Sequence, residues 1–210
     1  KVIEIPLIKP EMEGKYYFFN NNEEDKIKQL KHKIAAFYMD DLIMVYDDVR
    51  KFGRLKVLKK ENYLQYKSLS SLGSEPFDID LEFFYEKIKK SNRKIKQLIL
   101  DQKIISGIGN IYADEILFLS KISPFRKGNQ ISKKEAKIII NKSIDVLNKA
   151  INLGGSTIKS FSFDNNVDGR FQNNLNVYGK EKKACPICGD IIKKDFISKR
   201  GTHYCEKCQK

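Results

Sequence analysis

The four cysteines of the chain fall into two C-x2-C pairs, Cys185-Pro186-Ile187-Cys188 and Cys205-Glu206-Lys207-Cys208, with sixteen residues between them. Each pair can place two thiolates on one ion, and residues 189–204 suffice for a β-hairpin that returns the second pair to the first. The spacing predicts a single Zn2+ held in closed tetrahedral ligation by Cys185, Cys188, Cys205 and Cys208. Two disulfides are the alternative, but a C-x2-C bridge is a redox motif, and neither a signal-peptide pattern nor a further cysteine points to an oxidising compartment. Four sulfurs leave no open coordination position, so the metal is expected to be structural, shaping the ribbon without performing chemistry.

Residues 179–210 carry nine Lys/Arg against four Asp/Glu, and the Lys199-Arg200-Gly201 turn is expected to set a guanidinium at the apex of the hairpin. The alternative for such a stretch is a solvated lysine-rich face. The whole chain is basic, with 40 Lys+Arg against 27 Asp+Glu and a formal charge of +13. A polyanion follows as the expected partner, nucleic acid first and an anionic membrane surface second. No apolar run is long enough to span a membrane, so a reducing, intracellular setting is expected. Only six of the 40 basic residues are arginine: Arg50, Arg54, Arg93, Arg126, Arg170 and Arg200. Against so much lysine, each points to a position suited to a planar fork instead of a point charge.

Residues 1–79 read as β structure. Residues 34–39 and 42–46 are short apolar runs joined by Asp40-Asp41, a hairpin signal, and residues 55–58 form a further candidate strand. A turn at Glu13-Gly14 leads into a strand at 15–19, and the polar run 20–25 reads as a loop. In an extended segment Arg50 and Phe52, two apart, share one face; plain strand alternation is the alternative. From residue 80 the period becomes helical. Asp80 can cap a helix to about 90, a second runs over 93–102 with Ile95, Leu98 and Ile99 on one face, and a third covers 111–120. The fourth opens on a Ser132/Glu135 capping box, carries Ile140, Ile144, Leu147 and Ile151, and stops at Gly154-Gly155. In the connection 103–110, Gly107 and Gly109 precede a helix N-terminus, where backbone N–H groups can meet a phosphate and Asn110 can add its amide. A plain tight turn fits that stretch equally. Residues 156–178 read as a polar loop.

Taken in order, Met12-Glu13-Gly14-Lys15, Asp48-Val49-Arg50-Lys51-Phe52-Gly53, Leu100-Asp101-Gln102-Lys103, Gly107-Ile108-Gly109-Asn110-Ile111-Tyr112-Ala113-Asp114-Glu115, Gly154-Gly155-Ser156-Thr157, Val177-Tyr178-Gly179 and Arg200-Gly201-Thr202-His203-Tyr204-Cys205 resemble bacterial formamidopyrimidine-DNA glycosylases. The resemblance implies an α+β fold: a partial β-sandwich catalytic-type domain (1–79), a helix-two-turn-helix DNA-binding domain (80–155), a lesion-capping-type loop (156–178) and a C-terminal zinc ribbon (179–210). It implies base-excision repair by a bifunctional DNA glycosylase/abasic-site lyase. The partner would be double-stranded DNA containing an oxidised purine or an abasic site. Met12 and Phe52 resemble the wedges that fill the gap left by a flipped base, with Arg50 facing the orphaned base. Lys103, Asn110, Tyr178 and Arg200 resemble phosphate-binding residues.

Family members begin Pro-Glu-Leu-Pro-Glu, with the proline amine as nucleophile, whereas this chain begins Lys1-Val2-Ile3-Glu4. Pro10 offers no substitute, because its nitrogen is an amide. No catalytic residue is therefore identified, and the sequence as it stands is expected to bind DNA with impaired excision, as a C-terminal portion or a degraded relative. A non-catalytic module recognising damaged or abasic duplex is the alternative; an RNA-binding role is more distant, because Arg50, Phe52 and the capping loop have no use on RNA. A monomer acting in the bacterial cytoplasm, on the nucleoid and without a membrane, is expected.

Overall fold

The structure is a computed structural model of the 210-residue chain. It describes residues 4–9, 14–49, 51, 54–59, 61, 63–155 and 171–210. These fall into two compact units, one containing residues 1–66 and 153–172, the other 67–152 and 173–210. Mixed strands and helices with small sheets make the chain α+β.

In the first unit, strand β1 (Glu4–Lys9) is followed by β2 (Lys15–Asn20), helix α1 (Glu24–Gln29), β3 (Lys33–Tyr38), β4 (Leu42–Asp47) and β5 (Arg54–Lys59). β1 pairs antiparallel with β5, and β2-β4-β3 form a separate antiparallel sheet. The β3–β4 hairpin turns at Asp40-Asp41, where Met39 N–H donates to Leu42 O at 2.9 Å. Alternation on β2 and β4 puts Tyr17, Phe19, Ile43 and Val45 on one face, where Ile27 and Leu30 from α1 and its C-terminal end cover them. α1 corrects the loop expected at 20–25. Asp25 lies inside the helix, and Glu23 precedes it with its carboxylate accepting from Asn20 N–H at 2.9 Å. Gly14 lies against Tyr46, and a Cβ there would come 2.8 Å from the ring edge, so a larger residue would displace that ring.

The second unit opens with helix α2 (Lys67–Ser70) and continues with α3 (Leu81–Lys89), α4 (Ile95–Ile99), α5 (Asn110–Leu119) and α6 (Lys133–Asn152). The ribbon follows as strands β6 (Lys193–Ile197) and β7 (Arg200–Tyr204). Asp80 caps α3 by accepting from Phe83 N–H at 2.8 Å, and Phe84 and Ile88, one turn apart, are buried. The α6 capping box forms in both directions: Glu135 accepts from Ser132 N–H at 2.8 Å, and Ser132 Oγ from Glu135 N–H at 3.3 Å. α4 is shorter than the helix expected over 93–102. Arg93 O accepts from Gly128 N–H at 2.9 Å and Arg126 O from Ile95 N–H at 2.7 Å, so the backbone before Ile95 is committed to the 126–128 segment. The buried face of α6 is also displaced from the expected stripe: Ala136, Ile139, Ile140, Ser143, Val146 and Ala150 are buried while Ile151 is 66% exposed. Small side chains at 136, 143 and 150 form the face that nears its neighbours, which hydrophobicity alone does not reveal.

α5 is the centre of this unit, with all six residues from Ala113 to Phe118 buried. Its Phe118 joins Val177, Ile192, Cys185 and Cys205 in one apolar cluster, so the helical layer and the base of the ribbon share a core. Burying side chains of this size contributes about 1.5–3 kcal/mol each.

Candidate nucleic-acid interface and metal centre

Two tight knuckles build the metal centre. In the first, Gly189 N–H donates to Cys185 O at 2.9 Å, and Gly189 has φ 76°, a left-handed backbone that favours glycine. In the second, Gln209 Oε1 accepts from Cys205 N–H at 2.9 Å while Gln209 Nε2 donates to Ile122 O at 2.9 Å, which anchors this knuckle to the helical layer. The four Sγ atoms lie within 4.8 Å of one another, with Cys185–Cys208 at 3.8 Å and Cys188–Cys205 at 3.5 Å. Zinc–sulfur bonds of about 2.3 Å in a tetrahedron require sulfurs about 3.8 Å apart, so the residues fit one structural Zn2+. Burial pushes the Cys208 thiol up to about 12, whereas the Asp190 backbone N–H pulls Cys188 down to about 7. Four thiolates so close together require a cation.

The ribbon hairpin turns through Ser198 and Lys199, with φ 48° and 64°, between the paired residues Ile197 and Arg200. This corrects the turn expected at Lys199-Arg200-Gly201: a two-residue loop with both central residues left-handed matches strand twist, so Arg200 becomes the first residue of β7. Its side chain is exposed and borders a hollow of about 190 Å³ with Arg93, Gln97, Asp101 and Ser198. Arg93 is already engaged there, 2.8 Å from Asp101, and holds that carboxyl below its ordinary range.

Asn110 opens α5. Its Nδ2 donates to Gly201 O at 3.0 Å, so the helix N-terminus and the residue after Arg200 are in contact. An amide nitrogen carries two hydrogens, so this bond leaves a second donor. No side chain caps α5. In the preceding loop Gly107 has φ 83°, its N–H donates to Gln102 Oε1 at 3.0 Å, and Gln102 Nε2 donates to Ile108 O at 3.0 Å. Gln102 thus shapes the loop and occupies one of the N–H groups that the two glycines suggested for an anion. Nothing lies within 4 Å of a Cβ built at Gly109, leaving open space at the helix entrance. Lys103 is exposed at the start of this loop. Tyr178 is half-buried, its ring 4.7 Å from that of His203 and its N–H donating to Glu115 Oε1 at 3.0 Å.

Met12, Arg50 and Phe52 lie outside the described residues, as does 156–170 of the polar loop. The expectation that Arg50 and Phe52 share one face therefore also lies outside the described residues.

Four residues escaped the sequence reading. Lys96 is fully buried, 2.6 Å from Asp114 Oδ1, and donates to Gly201 O at 2.8 Å and Thr202 Oγ1 at 2.9 Å. Asp114 Oδ2 accepts from His203 N–H at 2.9 Å and lies 3.1 Å from His203 Nδ1. Glu115 accepts from the N–H groups of Asn176, Val177 and Tyr178 and from Asn176 Nδ2, at 2.8–3.0 Å. The signal was present as two adjacent acids inside the apolar run of α5, where unpaired carboxylates would be costly.

Helices presenting an uncapped N-terminus beside a four-cysteine zinc finger define a helix-two-turn-helix, zinc-ribbon protein of the kind built for nucleic acid. The family model described as formamidopyrimidine-DNA glycosylase H2TH domain matches residues 72–162, and that of the zinc finger found in FPG and IleRS matches 182–210. The chain belongs to the formamidopyrimidine-DNA glycosylase family. It is 40% identical to the Mycoplasma mobile enzyme over 198 residues, covering 94% of this chain and 71% of that one. With the Mycoplasmopsis pulmonis enzyme the identity is 42% over 200 residues, covering 95% and 71%. A solved complex of Lactococcus lactis Fpg with abasic-site DNA superposes at a TM-score of 0.88 and 37% identity, covering 98% of this chain and 75% of that one. A point mutant of that protein with Fapy-dG DNA superposes at 0.89, with the same identity and coverage.

Proposed function

We propose that the chain binds duplex DNA containing an oxidised purine or an abasic site, within the base-excision chemistry of a DNA glycosylase/abasic-site lyase. The observation that carries this reading is the Asn110–Gly201 hydrogen bond, which sets the open N-terminus of α5 beside the Arg200 segment. Helix N–H groups, an amide hydrogen and a guanidinium together form a phosphate site that positions a duplex without reading its sequence. Lys103 serves a neighbouring phosphate, and Tyr178 supports the site from its packing on His203. Met12 and Phe52 act as wedges and Arg50 faces the orphaned base, offsetting base extrusion that costs a few kcal/mol. The division of labour follows: 1–79 catalytic-type, 80–155 DNA-binding, 156–178 closing over the lesion, and 179–210 the metal-pinned ribbon. The protein acts as a monomer in the bacterial cytoplasm on nucleoid DNA. Among the described residues no helix is long and apolar enough to cross a membrane.

The test is titration of a duplex bearing an abasic-site analogue at two salt concentrations. With about five phosphates neutralised, affinity falls several-hundred-fold between about 50 and 200 mM salt. A flat response refutes the phosphate site. Borohydride trapping on an abasic duplex tests the lyase half: an adduct identifies an amine of this chain as nucleophile, and tight binding with no adduct leaves a recognition module.

A further inference from the structure

The residues that follow Arg200 are held from inside the helical layer. Lys96 on α4 donates to Gly201 O and to Thr202 Oγ1, and that hydroxyl donates onward to Arg200 O at 3.2 Å. Hydrogen bonds therefore run unbroken from a buried ammonium to the backbone of Arg200. Asp114 on α5 supplies the counter-charge to Lys96 and, through its other oxygen, holds His203. Gly201 O also accepts from Asn110, so one carbonyl receives both helices. Lys96 and Thr202 are 0% exposed and Asp114 is 1% exposed.

Such an arrangement is expensive as packing. Removing both charges from water costs several kcal/mol per ion, and well-packed apolar residues of similar volume commonly serve stability as well or better. Burial also pulls the Lys96 pKa down, with Asp114 opposing that pull. What the pair supplies beyond packing is direction: two of the three ammonium hydrogens are placed on Gly201 and Thr202 and the third on Asp114, so the short segment is held at fixed angles.

We propose that Lys96, with Asp114 as its counter-ion, is a positioning residue for DNA binding: through Gly201 and Thr202 it sets the Arg200 backbone against the Asn110 end of α5. This rests on the phosphate role proposed above for Arg200 and Asn110. The metal pins the base of the hairpin, and Lys96 aims its far end.

The experiment is a double-mutant cycle on the zinc-loaded full chain, measuring affinity for an abasic-analogue duplex and its salt slope. Arg200→Ala is expected to weaken binding about 10-fold and reduce the salt slope by about one unit. Thr202→Val removes the relaying hydroxyl at nearly constant shape, and Lys96→Met with Asp114→Asn removes the ammonium without leaving a bare carboxylate. In the parent chain these changes are expected to weaken binding about 3-fold and about 10-fold; in the Arg200→Ala background both fall below about 1.5-fold, because nothing remains to be aimed. Equal losses in both backgrounds overturn the positioning role and leave a merely structural one. An Arg200→Ala variant with unchanged affinity and slope overturns instead the phosphate reading beneath it. If the Lys96 variant loses zinc or fails to fold, the Thr202→Val cycle decides by the same criterion.

Discussion

Phe118 in the helical unit and Phe18 in the strand unit have the same side chain and opposite surroundings. Phe118 is 0% exposed between α5 and the ribbon, whereas Phe18 is 52% exposed on β2, at the edge of a three-stranded sheet. The contrast extends to polar groups. Lys96, Asp114, Glu115 and His203 are drawn inside the helical unit and tied to chain about 60–105 residues away. In the strand unit the buried Asp48 accepts from the Tyr46 hydroxyl, two residues away, at 3.0 Å. One unit is joined by buried ionic and polar links between distant segments; among the described residues of the other, strand pairing in β1–β5 and β2-β4-β3 and one covering helix hold the chain together. Order at the proposed phosphate site is therefore set by the unit with the buried ionic links.

The largest test of that difference is metal removal. Structural zinc contributes on the order of 10 kcal/mol to small ribbon domains. Chelation is expected to unfold the ribbon, lower duplex affinity more than about 100-fold, and leave the amide spectrum of β2-β4-β3 unchanged. Retained binding in the apo protein would break the link between ribbon and phosphate site. Next, Phe118→Ala is expected to destabilise by about 3–5 kcal/mol and Phe18→Ala by about 0.5 kcal/mol or less, read by urea unfolding; similar values would erase the contrast. Glu115→Gln keeps the shape but loses the charge and half of its acceptor capacity beneath residues 176–178, for an expected loss of about 2 kcal/mol. The smallest effect is a pH dependence. The Arg126 guanidinium, 2.5 Å away, pulls the Glu135 carboxyl from 4.5 down to about 2. Because the folded value is the lower one, this stabilisation is complete above about pH 5 and is lost as pH falls toward 2. Discounted for partial exposure it amounts to about 1 kcal/mol, and an Arg126→Met variant should lack that limb of the stability–pH curve.

Much of this was legible in the sequence where the cause is local. The zinc ligands are fixed by spacing, Asp80 and the Ser132/Glu135 box by capping chemistry, and the β3–β4 turn by Asp40-Asp41. What was not legible depends on distant chain. α1 has one buried residue, Ile27, and presents little periodicity to read. α4 begins late because residues 93–94 pair across to 126–128. Lys96 sits in a pattern that reads as an exposed polar position, and only the fold reveals its partners beyond residue 200. Arg200 stood out in the sequence as a candidate site residue, but its place one step past the turn depends on which two residues adopt left-handed backbone.

That turn has a consequence for association kinetics. Asn and Gly adopt left-handed backbone at least cost, yet Ser198 and Lys199 occupy it here. A more comfortable Asn-Gly turn would stiffen the hairpin while deleting the Lys199 charge from its tip. The charge at the tip adds to the long-range field that accelerates encounter with a polyanion, so conformational ease and speed of capture pull this one loop in opposite directions.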